Sequence, residues 1–312
     1  MRRLTAATGL IPVEFPTTRR LDASAVDRAA DLNAAFADPE IRAVLATIGG
    51  DDQITVIRHL DATLVRADPK PFLGMSDNTN LHTWLWTKGV VSFYGGSTQV
   101  HLGPGPGIDP CHLASLRAAL LTGERLEVTE PGESEDVGKD WNDPAALTDV
   151  GDREATEAWS WIGPARSVTG RTWGGCVEVL QWLLTAGRFP SDPHVLDGGV
   201  LLLEASEQLT PATEIGWIVR SLGERGLLEA IDAVILARTP ASDLEHRPNA
   251  ERRAAHRREQ REAVVEQICR YNSEVVICVG PPFGHTRPQW ILPHGGYVTV
   301  DNVEQRIWAD YH

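Results

Sequence analysis

The sequence predicts an α/β protein built on parallel sheet. Short apolar runs of strand length recur along the chain, segments with helical spacing separate them, and several of the runs end in loops that carry Gly, Ser, Glu or His. In the N-terminal third, Ala25, Ala29, Leu32 and Phe36 recur at helical spacing across residues 22–37, and Asp38-Pro39 ends the helix. Residues 43–48 read as a strand running into Gly49-Gly50-Asp51-Asp52, and a helix is expected from there through His59. Residues 71–74 form a short buried strand, 78–88 a helix and 90–94 a further strand.

At 312 residues the chain can hold two modest domains. Residues 1–100 make the first α/β unit. Between 101 and 165 the character changes: Gly103-Pro-Gly-Pro-Gly107 is punctuation, and 127–152 is acidic, polar and interrupted by Gly and Pro. This stretch reads as a connecting excursion draped over a cleft. From 166 to 312 order resumes, with a helix at 177–184, a buried strand at 199–204, a helix at 211–225, a strand at 233–238, a helix at 250–270 and a strand at 274–279. The five arginines of the 250–270 helix (252, 253, 257, 258 and 261) stand among acidic residues, with Val264, Val265 and Ile268 apolar, so the helix is read as amphipathic with a solvated charged face.

Lys and Arg total 29 against 43 Asp and Glu, a formal charge of −14. That balance repels phosphate backbones and argues against non-specific nucleic-acid binding. The apolar runs are far short of a membrane span. Four scattered cysteines (Cys111, Cys176, Cys269, Cys278) with no CxxC pair suit reduced thiols better than a disulfide framework or a zinc knuckle. Met1-Arg-Arg is followed by only scattered apolar residues, which is not a signal peptide, so the expected address is the cytoplasm.

Four strand ends carry groups with chemical potential. In Lys70-Pro-Phe-Leu-Gly-Met-Ser-Asp-Asn-Thr79 a serine stands between a strand and a helix, where its hydroxyl would project and the helix start would offer N–H groups to a developing oxyanion. Taken alone, Ser76 is more simply an N-cap. Gly49-Gly50 would allow close backbone approach to a ligand, or would only relieve a tight turn. Glu204 ends an apolar strand and could orient an imidazole; alone it reads as the solvated start of a loop. His285 follows the strand at 274–279 on a stiff loop, Gly280-Pro-Pro-Phe-Gly-His-Thr-Arg-Pro288. Together the four supply a nucleophile, a base, an orienting carboxylate and a glycine pair, and triads are known by geometry rather than by chain order.

Taken in order, Ala46-Thr-Ile-Gly-Gly-Asp-Asp52, Lys70–Thr79, Gly170-Arg-Thr-Trp-Gly-Gly175, Leu201-Leu-Leu-Glu204 and Phe283-Gly-His-Thr-Arg-Pro288 resemble the LD-carboxypeptidase family of serine peptidases across residues 9–296. The forms at 48–52 and 284–288 are similar to the branch containing the microcin C immunity hydrolases. The resemblance implies a flavodoxin-like N-terminal domain and a smaller swivelling β/β/α C-terminal domain, with the site in the cleft between them. It implies Ser76 as nucleophile, His285 as general base and acid, Glu204 as the group holding His285, and the N–H groups of Asp77 and of Gly49-Gly50 as the oxyanion hole. It implies hydrolysis at the C-terminal side of an aminoacyl or peptidyl group, including acyl links to a nucleotide-like moiety, with Trp141 stacking on the base; Trp141 is otherwise a plug under a long loop. The other branch removes the terminal D-alanine of a murein tetrapeptide. No metal or organic cofactor is expected, and a homodimer is implied. Two features depart from the family: the strand that normally precedes the segment starting here at Met1 is missing, and Cys176 replaces the usual Asn after Gly174-Gly175. A non-catalytic protein that keeps the cleft and sequesters peptide-like antibiotics is the rival from another class. A dinucleotide enzyme lacks support, since no G-x-G-x-x-G follows a strand.

Overall fold

In the N-terminal third the apolar runs pair in parallel, as their continuous hydrophobicity requires. Val44–Leu45 lies beside Phe72–Gly74, which lies beside Ser92–Tyr94. A strand from near the other end of the chain, Leu292–His294, completes this four-stranded sheet by pairing antiparallel with Ser92–Tyr94. The computed structural model describes residues 1–312.

The larger sheet has eight strands, in the order Arg125–Val128, Arg306–Asp310, Tyr297–Asp301, Ser167–Cys176, Gly199–Glu204, Ile231–Leu236, Val276–Val279, Ser160–Ile162. The four strands from Ser167–Cys176 to Val276–Val279 are parallel, and Gly199–Glu204 is buried along its whole length because both faces are covered. The two-residue period of the strands sorts their side chains. Leu201, Leu203, Val234, Leu236 and Ile277 pack under Leu180, Leu183, Val219, Leu222, Val264 and Ile268 of the helices Val177–Thr185, Ala212–Glu224 and Ala250–Tyr271. Val200, Leu202, Ala233, Ile235, Val276 and Cys278 take the opposite face and join Leu73, Met75, Phe93, Tyr94 and Phe283 in one core. That second core fuses the two sheets and brings the C-terminal ends of Phe72–Gly74 and Gly199–Glu204 close together. Full burial of each such Leu or Val contributes about 1.5–3 kcal/mol.

The fold class is the α/β arrangement the sequence predicts, with local differences. The expected helix from residue 52 through His59 is instead two 3₁₀ turns, Gln53–Thr55 and Ile57–His59, followed by the helix Ala62–Ala67. The reason is the polar stitching of Gln53: its backbone N–H donates to Asp77 Oδ2 (2.8 Å), its side-chain amide donates to Asn78 Oδ1 (2.8 Å), and its Oε1 accepts from Leu81 N (3.1 Å). Residues 101–165 do more than connect. They supply both outer strands of the large sheet, Arg125–Val128 against Arg306–Asp310 and Ser160–Ile162 against Val276–Val279.

The acidic stretch is also better partnered than its composition suggests. Asp136 accepts from Arg238 (2.5 Å) and Arg257 (2.7 Å), Glu154 pairs with Arg253 and Arg257, and Glu157 pairs with Arg238 and Arg257. Arg253 and Arg257, read from the sequence as part of a solvated face, therefore turn toward the excursion, while Arg252 and Arg258 stay exposed. A two-bond bridge, Glu135 N to Arg287 O (2.7 Å) and Arg287 N to Glu135 O (2.9 Å), ties the excursion to the loop that carries His285.

The Arg238 side chain is only 2% exposed, and Asp136 is its shortest partner. Asp136→Ala is expected to destabilise the protein by about 3–5 kcal/mol, because it leaves a buried guanidinium without its nearest counter-charge. A urea titration checks this: the midpoint should fall with little change in slope.

Candidate active site

The strand Phe72–Gly74 ends in a turn that several buried groups hold from different sides. His82 is completely buried, and burial pulls its pKa down to about 4, so the ring is neutral. Its Nε2–H donates to Gly74 O (2.9 Å), and Nδ1 accepts from the Ser92 hydroxyl (2.7 Å). Gly74 O accepts a second bond from Gly95 N (2.6 Å). Asn78 Nδ2 donates to Met75 O (2.9 Å) and Ile48 O (3.2 Å), and Asp77 Oδ1 accepts from Asn80 (2.8 Å). Between these anchors Ser76 adopts φ 62°, the left-handed region that is strained for any residue but glycine. Ser76 is half-buried, whereas Met75 and Asp77 on either side are buried, so the turn presents its hydroxyl and little else.

Gly49 lies against that hydroxyl. A Cβ built on Gly49 would stand 2.9 Å from Ser76 Cβ, 3.1 Å from Ser76 Oγ and 3.6 Å from the Asp77 amide nitrogen; one on Gly50 would stand 3.3 Å from Asp77 Oδ2. The structure thus brings Gly49, Gly50, Ser76 and Asp77 into one cluster, in which only a residue without a side chain fits at position 49. Burial raises the Asp77 carboxyl above its ordinary range, against the hydrogen bond it accepts from Gln53.

Glu204 and His285 meet on the other side of this turn. Glu204 is 1% exposed and ends its strand; its Oε2 accepts from His285 Nδ1 at 2.6 Å. Gly284 (φ 86°) makes the approach possible, since a Cβ there would fall 2.6 Å from Glu204 Oε2. Gln289 fixes the loop by donating to Gly284 O (2.5 Å) and accepting from Gly96 N (3.0 Å). The second Glu204 oxygen accepts from the Tyr94 hydroxyl at 2.6 Å, and the same hydroxyl accepts from Ser76 N at 3.1 Å. Tyr94 therefore links the serine turn to the carboxylate. Within the buried run from Pro281 to Trp290, His285 is the one residue not fully buried, and its side chain is still only 8% exposed.

Ser76 and His285 are not hydrogen-bonded to each other. His285 Nε2, the nitrogen that a serine would need, is instead 2.8 Å from Glu207 Oε2. Burial works against the imidazolium, but Glu204 and Glu207 outweigh it and push the His285 pKa well above the ordinary value. Burial raises Glu204, and the charge and hydrogen bond of His285 and the hydrogen bond of Tyr94 counter only part of that rise. The hydrogen bond from His285 draws the Glu207 carboxyl down to about 2. The resting arrangement is an imidazolium between two carboxylates.

Sequence reasoning missed Tyr94 and Glu207. Tyr94 reads as an ordinary core aromatic, and Glu207 as one polar residue in a turn; only its spacing of three from Glu204 hints that the two share a neighbour. Trp141 lies half-exposed between Asp140 and Asn142, and no aromatic pairing holds it. Cys176 is buried: its amide donates to Thr79 Oγ1 (3.1 Å) and its thiol to Glu178 (3.2 Å). Burial and the nearby Glu204 and Glu178 raise its pKa well above the usual thiol value, which keeps it neutral.

The chain is similar to known proteins in both sequence and fold. Residues 1–95 match the LD-carboxypeptidase N-terminal domain and residues 169–300 the LD-carboxypeptidase C-terminal domain. The microcin C7 self-immunity protein MccF of Escherichia coli is 25% identical over 291 residues, 90% of this chain and 77% of its own. The fold is similar to that of a MccF-like protein from Streptococcus pneumoniae solved in complex with AMP (TM-score 0.82, 23% identity, 99% of this chain and 91% of that one). It is also similar to MccF in complex with aspartyl sulfamoyl adenosine (TM-score 0.76, 21% identity, 96% and 86%).

Gly284→Ala should disturb the site from beneath. The new Cβ would meet the Glu204 carboxylate at a φ that disfavours any side chain, a cost of about 1–3 kcal/mol from backbone strain alone. A thermal melt is expected to show a clear loss of Tm, and an unchanged melt would mean that the loop yields without cost.

Proposed function

From the premise that the chain belongs to the LD-carboxypeptidase family of serine peptidases, we propose that it hydrolyses the bond on the carboxyl side of an aminoacyl or peptidyl group joined to a nucleotide-like moiety, through an acyl-enzyme on Ser76. The observation that carries this reading is the 2.6 Å bond between Glu204 and His285 Nδ1, set beside a strained strand-end serine. Glu204 fixes the ring orientation, so that Nε2 is the nitrogen left to take a proton, and it stabilises the imidazolium once that proton has moved. Ser76 Oγ forms a bond to the carbonyl carbon as its proton passes to His285 Nε2. The N–H groups of Asp77 and of the Gly49–Gly50 turn receive the oxyanion, a task that typically contributes about 2.7–4 kcal/mol per donor. His285 then gives the proton to the leaving nitrogen or oxygen, and water, activated by the same ring, cleaves the acyl-serine.

The substrate class draws its support from the complexes of the two similar structures with AMP and aspartyl sulfamoyl adenosine. Trp141 is proposed as the platform for the base, carried by an excursion that the Glu135–Arg287 bridge holds to the His285 loop. Stacking of this kind is worth about 1–3 kcal/mol per base.

The test is incubation with aspartyl sulfamoyl adenosine and, separately, with murein tetrapeptide, each followed by mass spectrometry. Cleavage of the first is expected, with Ser76→Ala reducing kcat on the order of 10⁴–10⁶-fold. Cleavage of the tetrapeptide alone would reassign the substrate, and wild-type rates in Ser76→Ala would remove the mechanism.

The pH dependence follows from the two carboxylates on His285. They stabilise the imidazolium, so the neutral base appears only as pH rises through a raised pKa. Because kcat/KM reports the free enzyme, its acid limb is expected above the ordinary histidine value of about 6.5. A pH–rate profile with that limb at or below 6.5 would contradict the assignment.

A further inference from the structure

Glu207 stands where the proposed reaction cannot tolerate it. Its Oε2 is 2.8 Å from His285 Nε2. The ring cannot turn away to free that nitrogen, because Nδ1 is held by Glu204 at 2.6 Å and Gly284 lies directly beneath the carboxylate. For Ser76 to use Nε2, the group that moves must be the Glu207 side chain.

The local structure permits that motion and little else. Glu207 lies in the turn after Gly199–Glu204, and Glu178 fixes the turn on both sides of it: Ser206 Oγ (2.9 Å) and Thr210 Oγ1 (2.8 Å) both donate to Glu178 Oε1. The Glu207 side chain itself is 61% exposed, and His285 is its single ion-pair partner. In its present position Glu207 has no lysine or arginine within ion-pair distance, so leaving Nε2 costs it its one charged partner. A bare carboxylate at the rim of a site that already holds Glu204 and Asp77 calls for a cation from outside the protein. An aminoacyl group supplies one, since its α-ammonium sits one carbon from the carbonyl that Ser76 attacks and so arrives beside Nε2.

Resting on the function proposed above, we infer that Glu207 is a specificity-determining residue: it occupies His285 Nε2 in the free protein and transfers to the free α-ammonium of an aminoacyl substrate, which opens Nε2 to Ser76. The exchange replaces one charge-assisted hydrogen bond by another, and the proton lost from the imidazolium passes to solvent. Substrates whose amine is acylated, peptidyl groups included, or which place an anion there, offer Glu207 no new partner and are expected to be cut more slowly than aminoacyl ones.

The experiment compares alanyl sulfamoyl adenosine with its N-acetyl derivative, using wild type and Glu207→Gln. Wild type is expected to favour the free amine by tenfold or more in kcat/KM. Glu207→Gln is expected to reduce that ratio to less than threefold, with the loss falling on KM for the free-amine substrate. Calorimetric binding of both compounds to Ser76→Ala and to Ser76→Ala/Glu207→Gln reads the same preference without turnover. If wild type cuts neither compound but the binding preference disappears with Glu207, the hydrolase reading fails and the recognition role stands. A preference that survives Glu207→Gln, or one that wild type never shows, overturns the inference. Thermal melts of both Gln variants establish that they are folded.

Discussion

A single buried carboxylate organises the site. Glu204 sits at the end of the central strand of the large sheet and takes one donor from each side: the Tyr94 hydroxyl from the small sheet and the His285 ring from the loop after Val276–Val279. Burial raises the pKa of this carboxyl, and the two short bonds from His285 and Tyr94 work against that rise and favour the anion. Withdrawing one partner from such a buried group typically costs about 3–5 kcal/mol, since the remaining charge has nowhere to go. Gly284 is part of the same constraint, because any side chain there would occupy the space of the carboxylate.

Tyr94 extends that constraint to the serine. By donating to Glu204 and accepting from Ser76 N, one hydroxyl couples the orientation of the base to the backbone of the strained turn. The turn is braced independently from below by His82, whose neutral ring spans Gly74 O and Ser92, and from the side by Asn78 and Gln53. These polar braces lie beside the core in which Leu73, Phe93 and Tyr94 pack on Leu202 and Ile235. Packing sets the distance between the strand ends, and the hydrogen bonds set the angles.

The sequence shows where strands end and what stands there, since apolar runs of four to six residues punctuated by Gly, Ser, Glu or His are legible without partners. Ser76, Glu204 and His285 were reachable that way. The two missed residues are silent for different reasons. Tyr94 has the burial and alternation of any core strand aromatic, and its hydroxyl's two partners lie 18 and 110 residues away. Glu207 is a turn carboxylate whose partner is 78 positions distant in sequence. The strands Arg125–Val128 and Ser160–Ile162 escaped notice because outer strands need little apolar character, and the Arg253 and Arg257 pairings because charge composition does not state direction.

The central claim is that the Ser76 hydroxyl becomes covalently acylated with His285 as its base. Rapid quench of the protein with aspartyl sulfamoyl adenosine, followed by peptide mapping, addresses it most directly. An aspartyl adduct on Ser76 that forms before free aspartate accumulates is the predicted result. Turnover with no adduct at Ser76, or an adduct on another side chain, would contradict it.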